Sequence, residues 1–270
     1  MPQMRFAFPK ITPVVKWLLI INIAVYFIEA VFLPILPPKE FELTIFDHLF
    51  AVFPSTWFNS LQLWRLITYQ FLHGGVWHLF INMLGLYFLG PTLERHWASK
   101  KFLIFYLSCG LAGGLFFTLL VSVGFLESGP MVGASGAILG LLAACAILFP
   151  QFVVFILFFP VPIRVAAVGL TLIYIINLLT GGYNAGGDAA HLAGLAAGAI
   201  YVVSKSWRRK MTLKIRSSRW QKKAQAQQDL QRELDRILEK VHQSGIHSLT
   251  SKEKKTLKKA TEKEKMRTGL

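Results

Sequence analysis

Four polar residues set in otherwise apolar stretches carry the groups that acyl transfer needs: Ser135, His191, His78 and Asn82. A serine hydroxyl is a weak nucleophile and requires an adjacent base to take its proton. Ser135 lies in Gly133-Ala134-Ser135-Gly136, where glycines on either side allow close approach to backbone and hydroxyl. His191 is the candidate base. Gly194 and Gly198 follow the histidine, and Gly136 and Gly140 follow the serine, each pair at the small-xxx-small spacing that lets membrane helices pack backbone to backbone. Such packing would bring the His191 ring within hydrogen-bond reach of Ser135. Acyl transfer also needs donors for an oxyanion. His78 and Asn82 stand at i and i+4, on one helical face, and can point at one oxygen.

Each of these residues alone has an ordinary structural explanation. A membrane serine commonly bonds the carbonyl one turn back, and Gly-x-x-x-Gly, His and Asn commonly serve helix packing. What favours joint chemistry is the depth the four share, argued below. His73 and His78 are five residues apart, off one helical face, with no Cys or Glu nearby as a third ligand, so no metal site is expected and no cofactor is implied. Asp188, three residues before His191, follows the Gly-rich turn 181–187 and is read as a solvated loop residue. A Ser–His dyad rather than a triad is therefore expected.

The elements that must hold these residues follow from composition. The 270-residue chain is 54% hydrophobic and 16% charged, against roughly 45–50% and about 25% for a soluble domain. Disorder is excluded, and the composition argues against an ordinary soluble enzyme. The net charge of +15 is divided unequally: residues 1–204 hold nine basic and seven acidic residues, and residues 205–270 hold twenty and seven. A near-neutral apolar body with a basic tail reads as a membrane domain and a cytoplasmic appendage. Cys109 and Cys145 both lie in apolar runs, which argues against a disulfide framework.

A bilayer core of about 30 Å needs roughly 20 apolar residues per helix. Six runs qualify, two of them short: Trp17–Leu36, Val76–Gly90, Phe102–Val123, Ser135–Phe149, Arg164–Leu179 and Ala189–Ser204. The first resembles a signal peptide in its basic flank, but it is long and lacks a small-x-small cleavage site, so it is read as a spanning helix. With the N-terminus in the cytoplasm, Arg5, Lys10, Lys16, Arg95, Lys100, Lys101, Arg164 and the tail cations fall inside, and only Lys39 and Arg65 fall outside. Both termini are thus expected in the cytoplasm. Helices two, four and six then run inward, and their polar residues share one depth near the outer face. The loop of roughly Pro37–Gly75, with Trp57, Phe58, Trp64 and Phe71, and Trp77 just beyond it, is expected to lie partly in the membrane.

In the tail, residues 205–228 read as a basic linker. Beyond them Leu230, Leu234, Ile237, Leu238 and Val241 recur at helical spacing, Gly245 offers a stop, and Thr250 with Glu253 forms a capping box. Residues 229–270 are expected to form a small helical hairpin.

In their order along the chain, Trp64-Arg65, His78-x-x-x-Asn82, Glu94-Arg95, Gly133-Ala134-Ser135-Gly136 and Ala190-His191-Leu192-Ala193-Gly194 resemble the rhomboid family of intramembrane serine proteases, over most of residues 10–204. The resemblance implies an all-α bundle of six membrane helices, a Ser135–His191 dyad, and an oxyanion site of His78, Asn82 and the Ser135 backbone. It also implies cleavage in or near transmembrane segments, after a small residue. One position departs from the family: four residues after the nucleophile an aromatic residue commonly packs on the imidazole, and here Leu139 stands there. The hairpin is similar to one appended to some bacterial rhomboids.

The leading reading is a serine endopeptidase of the bacterial inner membrane acting on transmembrane proteins, its tail on anionic lipid and no nucleic acid as partner. A non-catalytic rhomboid-like protein that binds and escorts membrane helices is the alternative; its usual mark, loss of the Ser or the His, is missing. A small transporter would place charge at mid-membrane, whereas Glu29, Glu94, Glu127 and Asp188 lie at helix ends or in loops.

Overall fold

The computed structural model describes residues 9–32, 45–54, 61–156 and 159–268. They form two units, Met1–Ser204 and Lys205–Leu270. The first begins with α1 (Pro13–Phe32), whose leading proline has its φ already set for a helix and lacks an N–H that would otherwise be orphaned. The expected extension of this helix to Leu36 lies outside the described residues, as do Trp57 and Phe58. After α2 (Ile45–Phe50), the short α3 (Arg65–Thr68) runs into a 3-10 turn, Tyr69–Phe71. Four helices complete the apolar body up to the last: α4 (Val76–Trp97), α5 (Ser99–Ser122), α6 (Ser135–Leu148) and α7 (Ile163–Leu179). A two-stranded antiparallel ribbon, β1 (Val153–Ile156) and β2 (Phe159–Pro162), joins α6 to α7 with Val154 opposite Val161. The last of the long helices, α8 (Ala185–Ser244), contributes residues to both units.

Pro13–Val31, Val76–Trp97, Ser99–Ser122 and Ala185–Lys205 are long and apolar enough to cross a membrane, while α6 and α7 are shorter apolar helices. Trp17, Phe27, Phe80, Ile81, Leu119 and Leu172 all face outward. A surface of that kind is matched to lipid rather than water, and the protein is an integral membrane protein. At its centre sits α6, with eleven of fourteen residues buried. Its glycines and alanines admit α4, α5 and α7 on different sides.

Helix α4 continues past the expected end at Gly90, through Pro91, to Trp97. A proline inside a helix forfeits one backbone bond. That loss is offset by Glu94, a buried carboxylate in the last turns, which accepts from the backbone N–H groups of Val14 and Val15 and the hydroxyls of Thr12 and Ser99. These are the first-turn donors of α1, which have no intrahelical acceptor and sit at the positive end of the helix dipole. The stretch 61–75 is folded just as firmly. Buried Arg65 donates to the carbonyls of Asp47, His48 and Ala51, and Thr68 Oγ1 to that of Phe50. Val52 pairs with Met131 in an antiparallel bridge, and the Gly133 N–H donates to Tyr69 O at 2.9 Å, so this region braces the segment leading into Ser135.

In the second unit the stretch 205–228, expected as a basic linker, is helical, as part of α8. No Pro or Gly occurs between Gly198 and Gly245, and the segment is rich in Lys, Arg, Gln and Ala, all favourable in helices. The helix ends at Gly245, whose φ of +79° suits glycine, and a 3-10 turn (Ile246–Ser248) leads to α9 (Ser251–Thr268). Ile237 and Leu249 are buried here. Glu253 accepts from the Thr250 N–H at 2.8 Å and from Lys240 Nζ at 3.0 Å, and its own N–H donates to Thr250 Oγ1. The Thr250 backbone bond first, then Lys240, holds the Glu253 carboxyl down to about 2 from an ordinary 4.5. A depressed carboxylate contributes its stability above the unfolded value and loses it as pH falls through the folded one. Amide protection factors over Ser251–Lys255, corrected for intrinsic exchange, are therefore expected to fall between pH 5 and pH 2, and Glu253→Gln to abolish that dependence.

Candidate active site

The nucleophile candidate is the first residue of α6, and the turn before it is built for approach. Gly133 has a φ of +125°, a conformation other residues avoid, and a Cβ there would lie 2.7 Å from His78 Cε1. His191 stands in the second turn of α8. Between α6 and α8 the backbones touch: a Cβ on Gly194 would overlap the Gly136 carbonyl oxygen, and one on Gly198 would overlap that of Gly140. This close crossing sets His191 Nε2 2.7 Å from Ser135 Oγ. A bond of that length between hydroxyl and imidazole is the geometry from which a base takes the hydroxyl proton. Cys109, whose Sγ would lie 2.5 Å from a Cβ on Gly140, is buried and free, as is Cys145.

The two residues from α4 arrive on the same side. His78 borders Gly133, and buried Asn82 donates from Nδ2 to the His78 carbonyl at 2.9 Å. The carboxamide has a second N–H, which that bond leaves free. Ser135, His191, His78 and Asn82 all line one cavity of about 390 Å³. The first N–H groups of α6 have no intrahelical acceptor and lie at the positive end of its dipole.

Two further residues touch the imidazole. The Tyr174 ring from α7 lies against that of His191, centroids 4.6 Å apart at 52°. Asp188 Oδ1 is 3.4 Å from His191 Nδ1, and the Asp188 side chain is only 3% exposed. Asp188 is not the solvated loop residue its glycine-rich context suggests. Helix α8 begins at Ala185, and the Asp188 N–H already donates to Asn184 O. The glycines there make room rather than a turn, since a Cβ on Gly186 would lie 2.8 Å from the Phe117 ring. His73 packs edge-to-face on His78 at 5.1 Å and is buried. Among the described residues no group of three or more His, Cys, Asp or Glu is placed to hold a metal.

A sequence model of the Rhomboid domain matches residues 60–208, more than half of the chain. The chain belongs to the rhomboid family. Among its relatives are RHOMBOID-like protein 1 of Arabidopsis thaliana, 34% identical over 61% of this chain and 39% of that one, and Rhomboid-like protease 3 of Toxoplasma gondii, 28% identical over 50% and 49%. Rhomboid protease GluP of Bacillus subtilis is 41% identical over 32% of this rhomboid and 17% of its own length. The chain thus spans less than half the length of these relatives. Residues 221–263 match a family of unknown function.

Leu139, where rhomboids commonly have an aromatic residue, is buried in the core, and the aromatic face against the imidazole comes from Tyr174 on a different helix. Tyr174 carries no sequence signal of its own, since it sits in a run of apolar residues that reads simply as a membrane span.

Proposed function

We propose that this rhomboid is an intramembrane serine endopeptidase that hydrolyses peptide bonds in or near transmembrane segments of membrane proteins. The observation that carries the reading is the 2.7 Å contact of Ser135 Oγ with His191 Nε2 at the wall of a cavity inside an apolar bundle. In this mechanism His191 Nε2 takes the hydroxyl proton as Ser135 Oγ attacks the scissile carbonyl carbon. The resulting oxyanion is met by the Ser135 N–H, the free N–H of Asn82 and His78. Collapse breaks the C–N bond, His191 returns the proton to the leaving amine, and water then hydrolyses the acyl-enzyme by the same route. Gly136, Gly140, Gly194 and Gly198 hold the dyad by letting α6 and α8 meet.

Six spanning helices support this chemistry: α1, α4, α5, α6, α7 and the first part of α8. The 14 residues of α6 amount to about 21 Å in a core of about 30 Å. With its inner end at the cytoplasmic interface, Ser135 lies below the outer surface and receives water through the cavity. On the positive-inside rule the distribution of Lys and Arg favours both termini in the cytoplasm, and the reading extends to a bacterial inner membrane with the +13 tail drawn to anionic lipid.

Purified full-length protein in proteoliposomes is expected to cut a membrane-anchored reporter. Reporter binding with no fragments at any ratio would instead favour the escort reading. Asn82→Ala tests the oxyanion. Losing one donor costs around 10²–10³ in turnover in a soluble serine protease, and the same reduction in kcat is expected here with KM little changed. Full turnover in Asn82→Ala would make the residue a packing element.

A further inference from the structure

We propose that Asp188 is a positioning residue for His191, which it orients in the resting enzyme and stabilises once the imidazole is protonated, so that the dyad works as a group of three. The proposal rests on the hydrolase reading above and adds to it.

When Nε2 accepts from the serine hydroxyl, the ring's proton must sit on Nδ1. That nitrogen faces Asp188 Oδ1 at 3.4 Å and has no hydrogen-bond partner within normal distance and angle. The carboxylate matches it: Oδ2 is buried and equally without a hydrogen bond. A buried carboxylate and a buried N–H that fall just short of each other are costly groups. The separation exceeds the 2.7–3.2 Å usual for N–H···O bonds, and the N–H is not aimed squarely at the oxygen, so in the resting enzyme the two groups are adjacent without being hydrogen-bonded. Transfer of the serine proton to Nε2 makes the ring cationic. The attraction between imidazolium and carboxylate, in a site removed from bulk water, then draws the two together. An interaction that tightens as the transition state forms raises turnover rather than substrate affinity.

The protons balance without a further carrier. The serine proton moves to Nε2 and from there to the leaving nitrogen, while the Nδ1 proton stays on the ring and Asp188 stays ionised, as in the soluble triads. Asp188 and His191 are three residues apart on one face of α8, so their relative placement is fixed by the helix itself. Tyr174 closes the ring's face from α7. The imidazole is thereby held at Nε2 and across its plane in the resting enzyme, and at Nδ1 once it is protonated.

Full-length protein in proteoliposomes provides the test, with kcat, KM, thermal stability and the rate of Ser135 labelling by a fluorophosphonate measured together. The corresponding substitution in a soluble protease lowers kcat about 10⁴-fold by fixing the wrong tautomer. With the looser contact here, Asp188→Asn is expected to lower kcat and the labelling rate by about ten- to a hundredfold, with KM and thermal stability unchanged. Asp188→Glu, which keeps the charge, is expected to recover part of the loss. In a His191→Ala background Asp188→Asn is expected to change nothing further, because residues acting through one another are not additive. Turnover of Asp188→Asn within twofold of the parent overturns the proposal. So does loss of folding in both variants, which would give Asp188 a purely structural role. A wild-type protein that neither cleaves nor labels would instead remove the hydrolase reading itself.

Discussion

Ser135→Ala is expected to lower reporter cleavage at least a thousandfold, His191→Ala to do the same, and the double variant to be no worse than either. The expectation follows from geometry in which the two groups act as one unit, the hydroxyl and the base that takes its proton being 2.7 Å apart. In a soluble serine protease, losing the nucleophile or the base singly costs about as much as losing the whole set. Both variants are expected to insert and fold, since Ser135 and His191 are joined to the bundle by helix packing that neither side chain supplies. Initial rates of fragment release in proteoliposomes, with thermal stability measured on the same samples, provide the check. Substantial cleavage by Ser135→Ala would remove the serine from the chemistry.

Gly194→Val is expected to abolish the folded, active state altogether. At this position a Cβ would overlap the Gly136 carbonyl oxygen and lie 2.6 Å from its carbon and 2.9 Å from its Cα. All three are backbone atoms, so no side chain can swing aside and the helices must separate. Overpacking a core typically costs 1–3 kcal/mol when neighbours can adjust; here they cannot, and more than about 3 kcal/mol is expected. Separation would also break the Ser135–His191 contact, so activity and stability fall together. Gly169 supplies the control, because nothing lies within 4 Å of a Cβ there, and Gly169→Ala is expected to be neutral or slightly stabilising through helix propensity. An unchanged melting temperature and rate in Gly194→Val would show that α6 and α8 are not held by backbone contact.

The contrast between these sites shows which parts of the molecule the sequence could disclose. Small-xxx-small spacing is a direct statement about helix approach, and it leads from Gly194 and Gly136 to the meeting of His191 with Ser135. Apolar runs mark the apolar helices at their centres and less well at their ends, and four of these helices are long and apolar enough to cross a membrane. Helix α4 overran Gly90 because Glu94 has partners some eighty residues away on α1, and distant partners leave no local trace. Asp188 was misjudged for a related reason: glycines at 186 and 187 signal a turn by composition, yet at least Gly186 is required by the nearness of Phe117. Tyr174 was invisible because contact with a ring on another helix has no periodicity. The basic stretch 205–228 reads as a linker by its charge, and its helical structure follows from residues that individually favour helix.

The central claim is that Ser135, activated by His191, attacks the peptide bond. Its most direct measurement is to label the full-length protein in proteoliposomes with a fluorophosphonate, locate the adduct by peptide mass, and follow reporter cleavage in parallel. A single adduct on Ser135, cleavage lost in proportion to its formation, and no adduct in His191→Ala are the results expected. Cleavage that persists when Ser135 is fully modified would contradict the claim.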